Sequence, residues 1–137
     1  ILSDNAFHNI GVPQAVGLAP AVDKGRLGDV PIVLSNPFNA VGKFSDDPDA
    51  GRTKHATVDP NDQNTLGAFR TPGLLNIEGT GPYFHNGSVK TLEEVVHFYN
   101  VGGGAPGTYQ GVKDPKIRPL GLTTAEEHDL VAVLRSL

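Results

Sequence analysis

The sequence lacks cysteine, methionine and tryptophan altogether in its 137 residues. The absence of cysteine excludes disulfide bonds, thiolate nucleophiles, cysteine-ligated zinc or iron–sulfur centres, and thioether attachment of a cofactor within these residues. The chain starts at Ile1 and contains no initiator methionine. We therefore expect it to be a processed or excised piece of a longer protein.

Positive charge and long apolar runs are also scarce. The formal net charge is −4, whereas a nucleic-acid-binding surface needs clustered lysine and arginine to neutralise phosphates. No window approaches the length of apolar sequence that spans a membrane, and no signal-peptide pattern is present. The sequence predicts neither a nucleic-acid partner nor a membrane-spanning segment.

Chain-breaking residues, in contrast, are abundant, with 17 glycines and 11 prolines. Hydrophobic residues make up 38% of the chain, which is enough for one core, and the length suits a single domain over residues 1–137. Few and short helices joined by long loops are expected, with little sheet. Asp29 to Ser35 is predicted as one short helix, and residues 36–67 are predicted as a long surface loop.

A longer helix is predicted over residues 91–101. Thr91 and Glu94 have the spacing of a capping box, in which the two side chains satisfy free backbone amides at the helix start. Apolar side chains then recur with helical spacing on one face, at Leu92, Val95, Val96 and Tyr99. Three consecutive glycines from Gly102 onward are expected to end this helix.

The last helix is predicted over residues 124–136. The run from Thr123 to Glu127 has the composition of a capped helix start. Apolar residues follow with helical spacing, and we expect one face to consist of Leu130, Leu134 and Leu137, flanked by Val131 and Val133. Because the regular elements are helices, the fold class is predicted as mainly α.

Tyr99 and His85 are the candidate functional residues. Tyr99 is either a core tyrosine whose hydroxyl binds a backbone carbonyl, or a phenol directed into a pocket as a metal ligand or hydrogen-bond donor. His85 follows two aromatic residues in the glycine-bounded loop 79–87, where it is either structural or part of a site. The other histidines show no metal-ligand spacing, and the acidic run 46–49 lacks the glycine and distal glutamate of an EF-hand.

Three segments resemble the bacterial di-haem cytochrome c peroxidases. They are residues 69–76 (FRTPGLLN), 79–87 (GTGPYFHNG) and 91–100 (TLEEVVHFYN). Residues 119–137 look like the closing segment of that family, and residues 7–12 are similar to the stretch that follows its second haem-attachment motif. The resemblance covers nearly the whole chain, although the loop at 36–65 matches less well.

The resemblance implies the C-terminal domain of a protein with two cytochrome c-like domains, each carrying a c-type haem, and a calcium ion between them. It therefore implies a cytochrome c-like fold, an N-terminal haem domain as partner, and a periplasmic location, where c-type haem is attached. The Cys-x-x-Cys-His attachment motif would stand a few residues before Ile1 and is absent here. The chain is expected to be either a piece whose partner carries that motif or a haem-free relative.

Tyr99 matches the position of the distal methionine ligand of the peroxidases. A tyrosine there resembles the MauG branch, whose members oxidise residues on a partner protein. The resemblance thus implies that Tyr99 is a ligand of haem iron. A phenolate is a hard anionic donor, and such a donor stabilises ferric iron more than a thioether does.

The other site residues follow from the same resemblance. The backbone carbonyls of Thr80 and Pro82 match calcium ligands, and oxygen donors suit calcium. His85 matches a histidine near the haem. Arg70 is expected to neutralise a haem propionate, because a planar guanidinium suits a carboxylate. His8, in the segment that resembles the one after the haem-attachment motif, is expected to contact the cofactor.

The implied function is reductive cleavage of peroxide, with electrons passing between two haems and from an electron-donor protein or a substrate protein. The peroxide-binding iron is expected on the other domain, so this piece alone should not turn over. Two alternatives stay open. One is a haem-free calcium-binding or protein-interaction module with the same fold, and the other is an electron-transfer cytochrome without peroxidase activity.

Overall fold

Helices supply most of the regular structure in this computed structural model, which describes residues 2–15, 22–55 and 59–137. The main elements, in chain order, are β1 (Phe7–His8), α1 (Arg26–Ser35), α2 (Pro48–His55), β2 (Phe69–Arg70), α3 (Leu92–Asn100) and α4 (Thr124–Arg135). Short 3₁₀ helices cover Gln63–Thr65 and Ile77–Gly79. The prediction of a mainly helical chain with little sheet is confirmed, and the cytochrome c-like class stays a prediction. None of the helices in the described ranges has the length and apolar character needed to cross a bilayer.

The helices α3 and α4 both begin with the capping boxes that the sequence predicts. Thr91 Oγ1 accepts a hydrogen bond from the Glu94 amide at 3.2 Å, and Glu94 Oε2 accepts one from the Thr91 amide at 3.1 Å. Thr123 and Glu126 repeat the arrangement at 3.3 and 2.8 Å. Such a cap uses only residues three positions apart, so the local sequence is sufficient to specify it.

The main core lies between these two helices. Leu92, Val96 and Val131 are each 3% exposed, and partly buried apolar residues surround them, namely Ile77, Tyr83 and Leu134. The predicted inward packing of α3 is confirmed for Leu92 and Val96, and Val95 is half-buried. This core contact fixes the position of α3 relative to α4.

The predicted apolar face of α4 is only partly right. Val131, expected at its flank, is the buried residue, whereas Leu130 is 39% exposed and Val133 is 54% exposed. Leu134 does pack against the core. The apolar residues of α4 occupy a wide arc of the helix, and packing against α3 selects which part of that arc is buried.

Helix α1 begins at Arg26, three residues before the predicted start at Asp29, and so contains Pro31 in its interior. The Arg26 amide donates to the Ala68 carbonyl at 2.9 Å, and Gly25 forms a bridge with Ala68. A contact with a residue distant in sequence therefore sets this helix start, and no local cap signals it.

The segment predicted as a long loop, residues 36–67, contains α2 and the 3₁₀ helix Gln63–Thr65. Asp47 Oδ1 accepts a hydrogen bond from the Ala50 amide at 3.0 Å, and Pro48 is the first residue of α2. Aspartate followed by proline is typical of a helix start. The polar composition of the segment obscured that signal. Residues 56–58 lie outside the described residues.

The antiparallel pair β1–β2 brings the N-terminal segment to the candidate site. Phe7 lies opposite Arg70, and His8 lies opposite Phe69. The Thr71 amide extends the pairing by donating to the Ala6 carbonyl at 2.9 Å. Because Phe69 also contacts His85, this ribbon connects the first residues of the chain to the loop at 79–87.

Candidate functional site

The C-terminal end of α3 holds Tyr99. The Gly103 amide donates to the Phe98 carbonyl at 2.8 Å, and the Gly102 amide donates to the Tyr99 carbonyl at 3.0 Å. These two bonds form a Schellman motif, with Gly102 in the left-handed region at φ 85°. The prediction that the glycine run ends this helix is confirmed. Tyr99 therefore lies in the last turn of a helix whose end is closed by backbone hydrogen bonds.

The helical spacing predicted that Tyr99 lies within the α3–α4 core. That prediction is wrong, because Tyr99 is 37% exposed. Its ring packs edge-on against Phe98, with 5.7 Å between ring centroids. Its surroundings still limit hydration of the hydroxyl, and this burial raises the pKa of Tyr99. Among the described residues, no group hydrogen-bonds the Tyr99 hydroxyl. The helical pattern places Tyr99 on the same side as Leu92 and Val96, but the ring extends past the residues that cover them.

His85 lies flat against Phe69, with ring centroids 3.5 Å apart and 8° between the planes. Burial lowers the pKa of His85, which favours the neutral imidazole. Its ring nitrogens have no hydrogen-bond partner among the described residues. The ring of the preceding residue, Phe84, packs against the ring of Phe98 in α3, with 4.7 Å between the ring centroids. The loop and the helix are thus joined through one aromatic cluster, which we define as Phe69, Phe84, His85, Phe98 and Tyr99.

Arg70 follows Phe69 of this cluster and is exposed. One guanidinium nitrogen donates to the Asn5 side-chain oxygen at 2.6 Å. Asn5 is neutral, and none of the carboxylates in the described ranges forms an ion pair with Arg70. The guanidinium charge is therefore not neutralised by a described residue.

His8 lies on β1, and carboxylates bind both of its ring nitrogens. His8 Nδ1 is 2.6 Å from Asp114 Oδ2, and His8 Nε2 is 2.8 Å from Asp4 Oδ2. Asp114 is also joined to the N-terminal segment through its backbone amide, which donates to the Asn9 carbonyl at 2.8 Å. The imidazole therefore connects β1 to the loop that holds Asp114.

These contacts shift three pKa values. The hydrogen bond with Asp114, and then that with Asp4, raises the pKa of His8 above its ordinary 6.5. The Ala6 amide, followed by His8, lowers the pKa of Asp4 from 3.8 to about 2. The Lys116 amide, followed by His8, lowers the pKa of Asp114. The charged forms of all three groups are favoured in the folded chain.

The stabilisation from His8 is expected to depend on pH. A raised folded pKa gives stability that is fully present below the unfolded pKa of His8 and is lost as pH rises through the folded value. The lowered carboxylate pKa values give stability that is present above about pH 4 and is lost at more acidic pH. The free energy of unfolding of the wild type minus that of His8→Gln should therefore be largest between about pH 4 and 6.5 and smaller by about pH 9. Urea unfolding followed by circular dichroism measures it, and a difference that stays constant from about pH 5 to 9 contradicts the prediction.

The loop at 79–87 is held by Tyr83. The Tyr83 hydroxyl lies 3.0 Å from the Ile77 carbonyl and 3.1 Å from the Glu78 carbonyl, and the Tyr83 amide donates to the Val89 carbonyl at 2.6 Å. The carbonyl oxygens of Thr80 and Pro82 accept no hydrogen bond from the described residues. Two backbone oxygens of an ordered loop are therefore free to bind another group.

Asn100 is a residue whose importance the sequence did not indicate. Its Oδ1 accepts from the Leu122 amide at 2.8 Å, while its Nδ2 donates to the Leu122 carbonyl at 3.0 Å and to Glu127 Oε1 at 2.6 Å. This bond from Asn100, together with one from His97, lowers the pKa of Glu127. Asn100 is the last residue of the segment 91–100 that carries the resemblance, but nothing in the sequence pattern indicated its partners.

Carboxylates and histidines do not form a metal centre in the described ranges, because no three of these residues come together in a suitable arrangement. The free donors are instead the phenol of Tyr99, the imidazole of His85 and the guanidinium of Arg70. Tyr99 and His85 belong to two ring contacts that are connected through the consecutive residues Phe84 and His85, and Arg70 follows Phe69 in β2. Thr80 and Pro82 lie in the same loop as His85, and His8 is engaged by two carboxylates.

Known proteins are similar to this chain in sequence, although no family model matches it. Cytochrome-c peroxidase IdrP1 of Denitromonas iodatirespirans is 38% identical over 100% of this chain and 34% of its own length. The methylamine utilization protein MauG of Methylorubrum extorquens is 34% identical over 65% of this chain and 24% of its own length. This chain belongs to the cytochrome c peroxidase and MauG family. It spans about a third of the length of the peroxidase relatives that it matches.

A solved structure of the same family supports the fold. It is described as a MauG-like protein associated with microbial copper homeostasis. It is 31% identical to this chain, with a TM-score of 0.56, and the match covers 100% of this chain and 35% of that structure. The resemblance inferred from the three sequence segments is thereby confirmed.

The donor set of the site fits the haem that this family implies. The Tyr99 hydroxyl has no protein partner in the described ranges, so its phenol oxygen could hold the haem iron. Arg70 offers a guanidinium to a propionate. The chain contains no cysteine, so the thioether bonds of a c-type haem have to come from residues outside it. The family member described here would therefore contribute one side of a haem site.

Proposed function

We propose that residues 1–137 are the C-terminal haem-contacting domain of a periplasmic di-haem oxidoreductase that reduces peroxide. The observation that carries the proposal is the Tyr99 hydroxyl. It has no hydrogen-bond partner among the described residues and lies in a surrounding that raises its pKa. A metal ion in contact with the phenol oxygen would use this unpartnered group and would lower the proton affinity of the oxygen.

Tyr99 is proposed to hold the haem iron: its phenol oxygen would bind the iron in the deprotonated form, and the last turn of α3 would position it. Haem iron, when bound, supplies the electron transfer and the peroxide chemistry. A phenolate favours the ferric state over the ferrous state, because it is anionic and hard. Tyr99 would thus set the redox properties of the cofactor on this side of the protein, as the tyrosine ligand is implied to do in the MauG branch.

His85 and Arg70 are proposed to orient the cofactor. Stacking on Phe69 fixes the plane of the His85 imidazole, and its neutral form offers one N–H donor and one free nitrogen acceptor. Arg70 would bind a propionate through its planar guanidinium. The side chain of His8 already binds two carboxylates through its ring nitrogens. We therefore propose that His8 contributes to cofactor binding indirectly, by fixing the position of β1.

The loop at 79–87 is proposed to bind calcium through the carbonyl oxygens of Thr80 and Pro82. The support is that both oxygens accept no hydrogen bond from the described residues, and that Tyr83 keeps the loop ordered. Calcium requires six to eight oxygen ligands. Further ligands would come from water and from the N-terminal haem domain, which is the proposed partner of this chain.

The proposed overall reaction consumes two electrons and two protons for each hydrogen peroxide and releases two waters. A donor protein supplies the electrons, or, as in MauG-type oxidation, residues of a substrate protein do so. The residues of this chain bind and orient one haem, and peroxide would meet the iron of the other domain. Turnover is therefore proposed for the whole protein and not for residues 1–137 alone.

The first test is the absorbance spectrum of the native full-length protein purified from cells that attach c-type haem. A Soret band is expected, together with consumption of hydrogen peroxide when a reduced electron-donor protein is added. A protein without haem absorbance would favour the haem-free calcium-binding or interaction module. A haem protein that passes electrons to the donor but leaves peroxide intact would favour the simple electron-transfer cytochrome.

A further inference from the structure

The side chain of Asn100 forms a two-way bond with Leu122 that resembles a β-bridge. Asn100 Oδ1 accepts from the Leu122 amide at 2.8 Å, and Asn100 Nδ2 donates to the Leu122 carbonyl at 3.0 Å. The backbone carbonyl of Asn100 also accepts from the Leu120 amide at 3.0 Å. Three hydrogen bonds therefore attach the last residue of α3 to the segment 120–122.

The segment 120–122 leads directly into α4. Thr123 is the N-cap of that helix, and Glu127 lies in its first turn. Glu127 Oε1 accepts from Asn100 Nδ2 at 2.6 Å and lies 3.1 Å from His97 Nδ1. Asn100 thus joins the end of α3 to the beginning of α4, one helical turn along each helix from Val96 and Val131 of the core.

Tyr99 has no comparable attachment of its own. Its hydroxyl is unbonded among the described residues, and the one ring contact that involves Tyr99 is made to its chain neighbour Phe98. The position of the phenol therefore depends on the last turn of α3, which carries it. That turn is held by the Gly102 and Gly103 amides on the helix side and by Asn100 on the side of α4.

We propose that Asn100 is a positioning residue for Tyr99, which keeps the phenol oxygen at the haem iron by locking the last turn of α3 onto residues 120–122 and α4. The inference rests on the proposed function, because it takes Tyr99 to be the axial ligand. Without the side-chain amide of Asn100, the last turn of α3 becomes more mobile. The Tyr99 phenolate then competes less well with a ligand from solution for the haem iron. Asn100 itself touches neither the iron nor the peroxide.

The experiment uses the haem-loaded full-length protein in its ferric form. The absorption that depends on Tyr99 is defined as the difference spectrum between the wild type and Tyr99→Phe. Imidazole is then added until half of this absorption is lost. We expect Asn100→Ala to lose it at an imidazole concentration about tenfold lower than the wild type, because the loss of two or three hydrogen bonds weakens the ligation by about this factor.

Asn39→Ala is the matched control. Asn39 also makes three side-chain hydrogen bonds at the end of a helix, α1, donating to the Val33 and Leu34 carbonyls and accepting from the Val41 amide. Its substitution should destabilise the chain but leave the half-displacing imidazole concentration within about twofold of the wild type. The pair of variants separates a general loss of stability from a loss of Tyr99 positioning.

Asn100→Asp keeps the size of the side chain and the acceptor for the Leu122 amide, but it loses the donors and faces the Glu127 carboxylate. Asn100→Asp is also expected to lower the imidazole concentration at half-displacement. If Asn100→Ala fails to bind haem, the Asn100→Asp titration tests the inference. The inference is overturned if Tyr99→Phe changes the spectrum while the Asn100 variants titrate like the wild type. If Tyr99→Phe leaves the spectrum unchanged, the ligand assignment in the proposed function is wrong instead.

Discussion

Tyr99→Phe is expected to change the ferric absorption spectrum of the full-length protein and to leave its haem content and circular dichroism unaltered. The phenylalanine ring keeps the edge-on contact with Phe98, so only the hydroxyl is lost. That hydroxyl has no partner among the described residues, and its removal therefore costs the fold little. Peroxide turnover should fall by at least about tenfold, the lower end of the losses seen when even an outer partner of a metal ligand is removed.

Tyr109→Phe is the control for this substitution. Tyr109 is half-buried, and its hydroxyl likewise has no hydrogen-bond partner in the described ranges, but its ring lies near Gly11 and outside the aromatic cluster. The spectrum and turnover of Tyr109→Phe should equal those of the wild type. Equal spectra for wild type and Tyr99→Phe would show that the Tyr99 hydroxyl is an ordinary exposed polar group.

Gly103→Ala is expected to lower the free energy of unfolding by about 3 kcal/mol, as the sum of left-handed backbone strain and overpacking. Gly103 has φ 79°, and an added Cβ would lie 2.4 Å from the Ile10 carbonyl oxygen and 2.9 Å from Ile117 Cγ2. The nearer atom belongs to the backbone and cannot rotate away. The end of α3 would therefore have to move, or the N-terminal segment would have to separate from it.

Gly121→Ala provides the comparison for Gly103→Ala. Gly121 has a similar φ of 74°, and an added Cβ would meet no atom within 4 Å. Its substitution should cost only the backbone strain, about 1–2 kcal/mol. Urea unfolding of both variants, followed by circular dichroism, measures the difference. Equal losses would mean that the close approach of Ile10 to Gly103 contributes nothing to stability.

Helices α3 and α4 could be predicted from the sequence because their determinants are local. Thr91 with Glu94 and Thr123 with Glu126 start them, and the Gly102–Gly104 run ends α3 within a few residues of Tyr99. Helix α1 was placed three residues late because its start depends on Ala68. Helix α2 was predicted as part of a loop for a different reason, since its Asp47–Pro48 start was present in the sequence but lay in a polar segment.

The residues of the candidate site also divide into those that local sequence indicates and those whose partners are distant in the sequence. Tyr99 and His85 were found through motif spacing and resemblance, since both lie in short segments with a recognisable order of residues. Asn100 was missed, because its partners Leu122 and Glu127 are more than twenty positions away in the sequence. Asp114, one of the two carboxylates that bind His8, was missed for the same reason.

The sequence by itself determined the capped ends of α3 and α4, the residues of their shared core on α3, and the family to which the chain belongs. Each of these depends on residues within one or two helical turns or on a contiguous motif. The tertiary structure alone decided that Val131 and not Leu130 meets α3, and that Tyr99 extends past the core with its hydroxyl unpartnered. Burial and hydrogen bonding between distant segments depend on how the chain packs, and a periodic pattern along one helix carries no information about its neighbours.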